Sequence, residues 1–204
     1  MFKVCTIVGT RPEIIKLSSL LKKLDKFFEH KLIHTGQNYD YELNQIFFND
    51  LKIRKPDFFL NSAGSNPNKT ISKIFSKVDD LLNKIKPDAI VILGDTNSGL
   101  AAIAAKKRKL QVFHIEAGNR SFDHRVPEEL NRKLIDHSSD INFTYTQIAK
   151  DYLVSEGISS DRVIKVGSPM NEIIRENKLA IDKSNILKKL KLKQNEFFLI
   201  SFHR

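Results

Sequence analysis

Short, wholly apolar runs alternate along the chain with longer segments in which apolar residues recur every three or four positions. The first run, Val4–Val8, is β-branched and ends in Gly9-Thr10-Arg11-Pro12, which reads as a buried strand, a tight turn and a proline near the first helical position. Ile14, Ile15, Leu17, Leu20, Leu21 and Leu24 then recur at helical spacing, so a helix runs to about Leu24. Lys31–Thr35 reads as a strand, Tyr41–Asn49 as a helix, and Asp57–Leu60 as a third strand. Thr70–Ile85 is a strongly periodic helix, and Ala89–Leu93 a buried strand closed by Gly94-Asp95-Thr96. A small-residue helix from about Ser98 to Lys107 follows, then a strand over Val112–Ile115 that ends in Glu116-Ala117-Gly118. Pro127 opens the next helix, and Asp140–Phe143, Gln147–Ser155, Val163–Val166 and Met170–Ala180 continue the alternation.

Strands that are apolar on both faces and alternate with helices predict an α/β fold, Rossmann-like and doubly wound, with a mostly parallel sheet covered on both sides. Ligands of such sheets bind beyond the carboxyl ends of the strands. That rule singles out Gly9, Arg11 and Lys16 after the first strand, Asp95 after the fourth, and Glu116 after the fifth. The stretch from Arg120 to Arg132, with Glu128 and Glu129 in the first turn of its helix, is also dense in charge. Each has a bland reading: an aspartate before Thr96 caps a helix, and acids in a first turn favour the helix dipole.

Composition narrows the classes. Apolar residues make up 41% and charged residues 28%, as in a soluble globular protein. No apolar run is long enough to cross a bilayer, and Val4–Gly9 is too short for a signal peptide, so a cytoplasmic protein is expected. The net charge of +10 is spread over many helix faces and does not form the stripe that nucleic acid requires. The single cysteine, Cys5, excludes an internal disulfide and thiolate metal clusters. There is no G-x-G-x-x-G and no G-K-[ST], which argues against NAD and against ATPase chemistry. Residues 1–181 read as one Rossmann-like domain. Residues 182–204 read as a lysine-rich linker and the apolar first strand of a second domain, Phe197–Phe202.

In combination the motifs are more specific. Gly9-Thr10-Arg11-Pro12-Glu13, Gly94-Asp95-Thr96, Glu116-Ala117-Gly118-Asn119-Arg120, and Pro127-Glu128-Glu129 with Asn131-Arg132 stand in the order seen in the non-hydrolysing UDP-N-acetylglucosamine 2-epimerases, and the chain resembles that family throughout. Ser201-Phe202-His203-Arg204 resembles the histidine-arginine motif that opens the family's second domain. The resemblance implies a GT-B-type N-terminal domain and an isomerase that inverts C2 of a UDP-linked 2-acetamido sugar, by elimination of UDP and its re-addition. It implies that Asp95, Glu116, Glu128 and His203 are catalytic, and that Gly9, Arg11, Lys16, Arg120 and Arg132 bind substrate. Neither metal nor other cofactor is required. Residues 119–127 resemble the branch acting on 6-deoxy sugars for surface polysaccharide. The family continues for about as long again, so this chain reads as a truncated N-terminal half. Its expected partners are a second copy or a separate C-terminal-domain chain. Two other readings stand beside this one: an inactive remnant, and half of a GT-B glycosyltransferase.

Overall fold

The computed structural model describes residues 1–37 and 41–202. Among these residues seven strands form one all-parallel sheet in the order β3-β2-β1-β4-β5-β6-β7. The strands are β1 (Lys3–Val8), β2 (Glu29–His34), β3 (Phe58–Phe59), β4 (Ala89–Leu93), β5 (Gln111–Ala117), β6 (Ile141–Thr144) and β7 (Val163–Lys165). The helices between them are α1 (Arg11–Phe27), α2 (Tyr41–Asp50), α3 (Pro67–Ile85), α4 (Ala101–Lys107), α5 (Pro127–Ser138) and α6 (Gln147–Ser155). After β7 come α7 (Met170–Glu176), α8 (Lys178–Asp182) and α9 (Ile186–Lys189).

Local chemistry sets the boundaries. Asn66 caps α3 by accepting from the Lys69 amide at 2.9 Å, Pro67 takes the first helical position, and Lys86 closes the helix at φ 51. The expected single helix over Met170–Ala180 is divided at Asn177 into α7 and α8. The helix expected from Ser98 begins as a 3-10 turn, Asn97–Leu100, that continues into α4.

The pleat sorts the core by face. Cys5, Ile7, Ile90 and Ile92 point to the side where Ile74, Val78 and Leu82 of α3, Ala101 and Ala105 of α4, and Ile135 of α5 pack. Val8 and Leu93 point to the opposite side, against Ile14, Leu17 and Leu21 of α1 and Phe48 of α2. There α7 returns to α1 through buried Ile173 and a Lys23–Glu172 ion pair at 2.6 Å. Beside α1 the second face of β4, β5 and β6 keeps an open apolar cavity of about 230 Å3, lined by Val4, Leu24, Val91, Phe113 and Phe143 among others.

Phe197–Phe202 stays outside the sheet, and Phe198, Leu199 and Phe202 are 97%, 89% and 92% exposed. A β-run with no neighbour to complete its hydrogen bonds has no ladder to join. None of the helices among the described residues is long and apolar enough to cross a membrane.

Candidate functional site

The direction of winding across the sheet reverses between β1 and β4: from β1 the chain winds outward through β2 and β3, then returns to start again at β4. In a doubly wound sheet that reversal opens a crevice at the carboxyl edge. Asp95 and Glu116 both lie on this edge, on adjacent parallel strands, and Arg11 opens the helix that follows β1.

Glu116 is held unusually. Its φ is 67, in the left-handed region that glutamate seldom occupies, and the β5–β6 register shifts between Ile115 and Ala117. Such a bulge re-aims a side chain, and its strain persists only where the surroundings fix it. Here they do. Lys16, one turn into α1, holds both carboxylate oxygens of Glu116 at 2.7 and 2.6 Å.

Asp95 follows Gly94, which turns the chain at φ 73. It does not cap the next helix: Thr96 does so, accepting from the Ser98 amide at 3.2 Å. The Asp95 side chain is left for Arg132 of α5, whose Nε lies 2.7 Å from Oδ2, while Asn131 Nδ2 donates to the Asp95 carbonyl at 2.9 Å. Glu128 is exposed one turn before Arg132 on the same face of α5. Its neighbour Glu129 turns inward instead. Buried, it accepts from the Ser121 amide and hydroxyl, the Phe122 amide and Arg132. Burial works against ionisation there, yet these donors overcome it and hold the carboxyl at about 2.

The remaining expected residues divide. Arg11 is exposed at the first position of α1 and makes no ion pair among the described residues. Gly9 is required for a reason other than ligand approach: a Cβ there would meet Ser98 Oγ and Thr35 Oγ1, which are hydrogen-bonded to each other at 2.7 Å. The Arg120 side chain is wholly buried between Asp136 and Glu156. His203 lies outside the described residues.

Two further residues belong to the site by position. Buried Glu13 accepts from the Gly9 and Thr10 amides at 2.5 and 2.9 Å and from Thr96 Oγ1 at 2.5 Å, tying the turn after β1 to the turn after β4. Those two amides are thereby satisfied internally. Burial raises the Glu13 carboxyl to about 7 despite these donors. Tyr145, just past β6, has a buried hydroxyl beside Glu116, and burial together with the Glu116 charge pushes its phenol up. With Lys16, Ile115 and Gly167 to Pro169 it lines a cavity of about 340 Å3. The T-x-x-E spacing of Thr10 and Glu13, and a polar residue directly after a strand, were signals available for both. Among the described residues no group of three His, Cys, Asp or Glu is placed to hold a metal ion.

The arrangement offers two carboxylates at one sheet edge, Asp95 held by Arg132 and Glu116 held by Lys16, with Arg11 opening the helix after β1. Such a set can move protons at a carbon centre while a nearby anion departs. Comparison with known proteins points the same way. The family model for UDP-N-acetylglucosamine 2-epimerase matches residues 22–204. A UDP-N-acetylglucosamine 2-epimerase of Methanococcus maripaludis is 40% identical over 210 residues, covering 100% of this chain and 57% of that relative. A Rickettsia bellii UDP-N-acetylglucosamine 2-epimerase superposes with TM-score 0.90 at 55% identity, over 95% of this chain and 52% of that one. The Methanocaldococcus jannaschii UDP-GlcNAc 2-epimerase solved with UDP-GlcNAc and UDP superposes with TM-score 0.87 at 39% identity, over 93% and 53%. The chain thus spans about half the length of the relatives it matches.

Proposed function

The chain belongs to the UDP-N-acetylglucosamine 2-epimerase family, and from that premise we propose that it carries the proton-handling half of a site that inverts C2 of a UDP-linked 2-acetamido sugar. The observation that carries the reading is the pair of strand-end carboxylates, Asp95 held by Arg132 and Glu116 held by Lys16, facing one crevice. The C2 proton of such a sugar is not next to a carbonyl carbon, so its removal alone would leave an unstabilised carbanion. Breaking the C1–O bond to UDP as the C2–H bond breaks avoids that, because the electron pair forms a C1–C2 double bond and the diphosphate takes the negative charge. Re-addition of UDP with the proton delivered to the opposite face of C2 completes the inversion.

In this reading Glu116, Asp95 and Glu128 are the acid/base groups, and Arg11 and Lys16 face the leaving diphosphate. His203 would complete the site from a second domain, and the cavity beside Tyr145 would take part of the sugar. A cytoplasmic setting suits a nucleotide-sugar substrate. The second half of the site would come from a separate polypeptide or from the remainder of a longer protein. Domain 1–181 would be the folded unit, with 182–204 leading to the second. Membership of the epimerase family sets aside the glycosyltransferase reading.

The decisive experiment follows C2 hydrogen–deuterium exchange of UDP-GlcNAc and of a 6-deoxy analogue, with this chain alone and with a matching C-terminal domain added. Exchange that appears only in the mixture, and is lost in Glu116→Gln and Asp95→Asn, supports the proposal. A mixture that binds UDP but never exchanges C2 hydrogen refutes it and leaves an inactive remnant.

A further inference from the structure

Beneath Asp95 and Glu116 runs a buried charged chain that touches neither carboxylate. It starts at His114 on β5, wholly buried, with Nε2 2.8 Å from the Gly94 carbonyl and Nδ1 2.8 Å from Asp136 Oδ1. A carbonyl and a carboxylate both only accept, whereas a neutral imidazole carries a single N–H. A neutral ring would therefore turn a lone pair toward one of them. Asn142, buried on β6, is a further side chain beside the ring that favours its charged form.

From the ring the chain runs outward. Asp136 also accepts from the Gly118 amide at 3.3 Å and from Arg120 Nη1 at 2.7 Å, and Arg120 is clamped by Glu156 at 2.7 and 2.6 Å. Glu156, partly exposed at the outer end, also meets His137 Nε2 at 3.1 Å. Burial alone would lower the ring's pKa, but Asp136 and the Gly94 carbonyl reverse this and leave it raised.

The two ends of the His114–Asp136 pair hold the two turns that matter. Gly94 precedes Asp95, and its amide also donates to the Ile115 carbonyl at 2.9 Å. Gly118 follows Glu116 by two residues. We infer that His114, held as an imidazolium by Asp136, is a positioning residue that sets the Asp95 turn against the Glu116 turn. The inference rests on the proposed roles of those two carboxylates. The groups that bear on the ring are Asp136 from α5 with Arg120 behind it, the Gly94 carbonyl after β4 and the Asn142 amide on β6.

The test is nuclear magnetic resonance of the chain labelled with 15N. His114 should show two ring N–H signals at pH 7 and keep both at pH values where the exposed histidines have lost theirs. Raising the pH until one is lost should shift the Gly94, Asp95 and Gly118 amides in the same titration. His114→Gln should abolish that joint shift while the spectrum stays dispersed, and Asp136→Asn should leave His114 with one ring proton at pH 7. A single ring proton on His114 at pH 7 in the unaltered chain overturns the inference, as do unmoved Asp95 and Gly118 amides during its titration. If Asp136→Asn does not fold, the unaltered chain alone decides. None of these readouts needs a sugar nucleotide, so failure here leaves the epimerase reading standing. A chain that passes but shows no C2 exchange once a matching C-terminal domain is added counts against that reading and not against the positioning role.

Discussion

Glu129 and Glu13 show how differently two buried carboxylates can behave. Glu129 is held at about 2 in the fold, far below its ordinary value, because its donors outweigh burial. Its contribution is therefore fully present above about pH 4.5, the ordinary glutamate range, and fades as pH falls toward about 2. Glu129→Gln should lower stability by ~2 kcal/mol at pH 7, in the range for a hydrogen-bonded charge, and by less at pH 3, read from urea unfolding at both pH values. Glu13 has the opposite sign. With its folded value raised to about 7, ionisation costs more in the fold than in the unfolded chain, so stability declines as pH rises from about 4.5 through 7. Glu13→Gln keeps an acceptor for Gly9 and Thr10 and removes that decline. The urea midpoint of this variant should change less between pH 5 and pH 8 than that of the unaltered chain. An equal change would mean that Glu13 ionises freely in the fold.

At the scale of elements, the sequence carried most of the architecture, because strands buried on both faces leave continuous apolar runs. Ala89–Leu93 and Gln147–Ser155 match the periodicity to the residue. The edge strand β3 is shorter than its apolar run suggested, since only Ile33 and His34 offer it a partner. The carboxyl-edge rule located Asp95 and Glu116, but it could not tell that Arg120 turns inward. That outcome depends on Asp136 and Glu156, which lie 16 and 36 residues away. Nor could it distinguish a glycine kept for ligand from one kept for packing. Gly9→Ala tests the second role: the added methyl would force Ser98 and Thr35 apart and separate the turn after β1 from the 3-10 turn. A loss of ~1–3 kcal/mol is expected from such overpacking, measured by chemical unfolding. A stability equal to the unaltered chain would show that the two turns can part freely.

For the whole molecule, the described residues after Asn185 contribute nothing to the buried core, yet they expose Phe198, Leu199, Ile200 and Phe202. Ending the chain at about Asn185 should therefore leave a cooperative thermal transition in place and reduce light scattering on heating. Loss of that transition would place the segment inside the folding unit. Because these 204 residues span only 57% of the Methanococcus maripaludis relative, they should by themselves bind UDP weakly and show no C2 exchange, tested by titration calorimetry and by deuterium uptake. Strand order carries a last consequence, for synthesis. β1 is central in the sheet, flanked by β2 and β4, yet its partner residues on β4 begin only at Ala89. On the ribosome β1 can pair early with β2, but its other edge must wait for roughly 50 more residues, which is about 3–10 s at common elongation rates. For that interval Val4, Cys5, Thr6 and Ile7 present an apolar strand with free hydrogen-bonding groups. Slower translation between β2 and β4 would lengthen the exposure and favour capture of the nascent chain by chaperones.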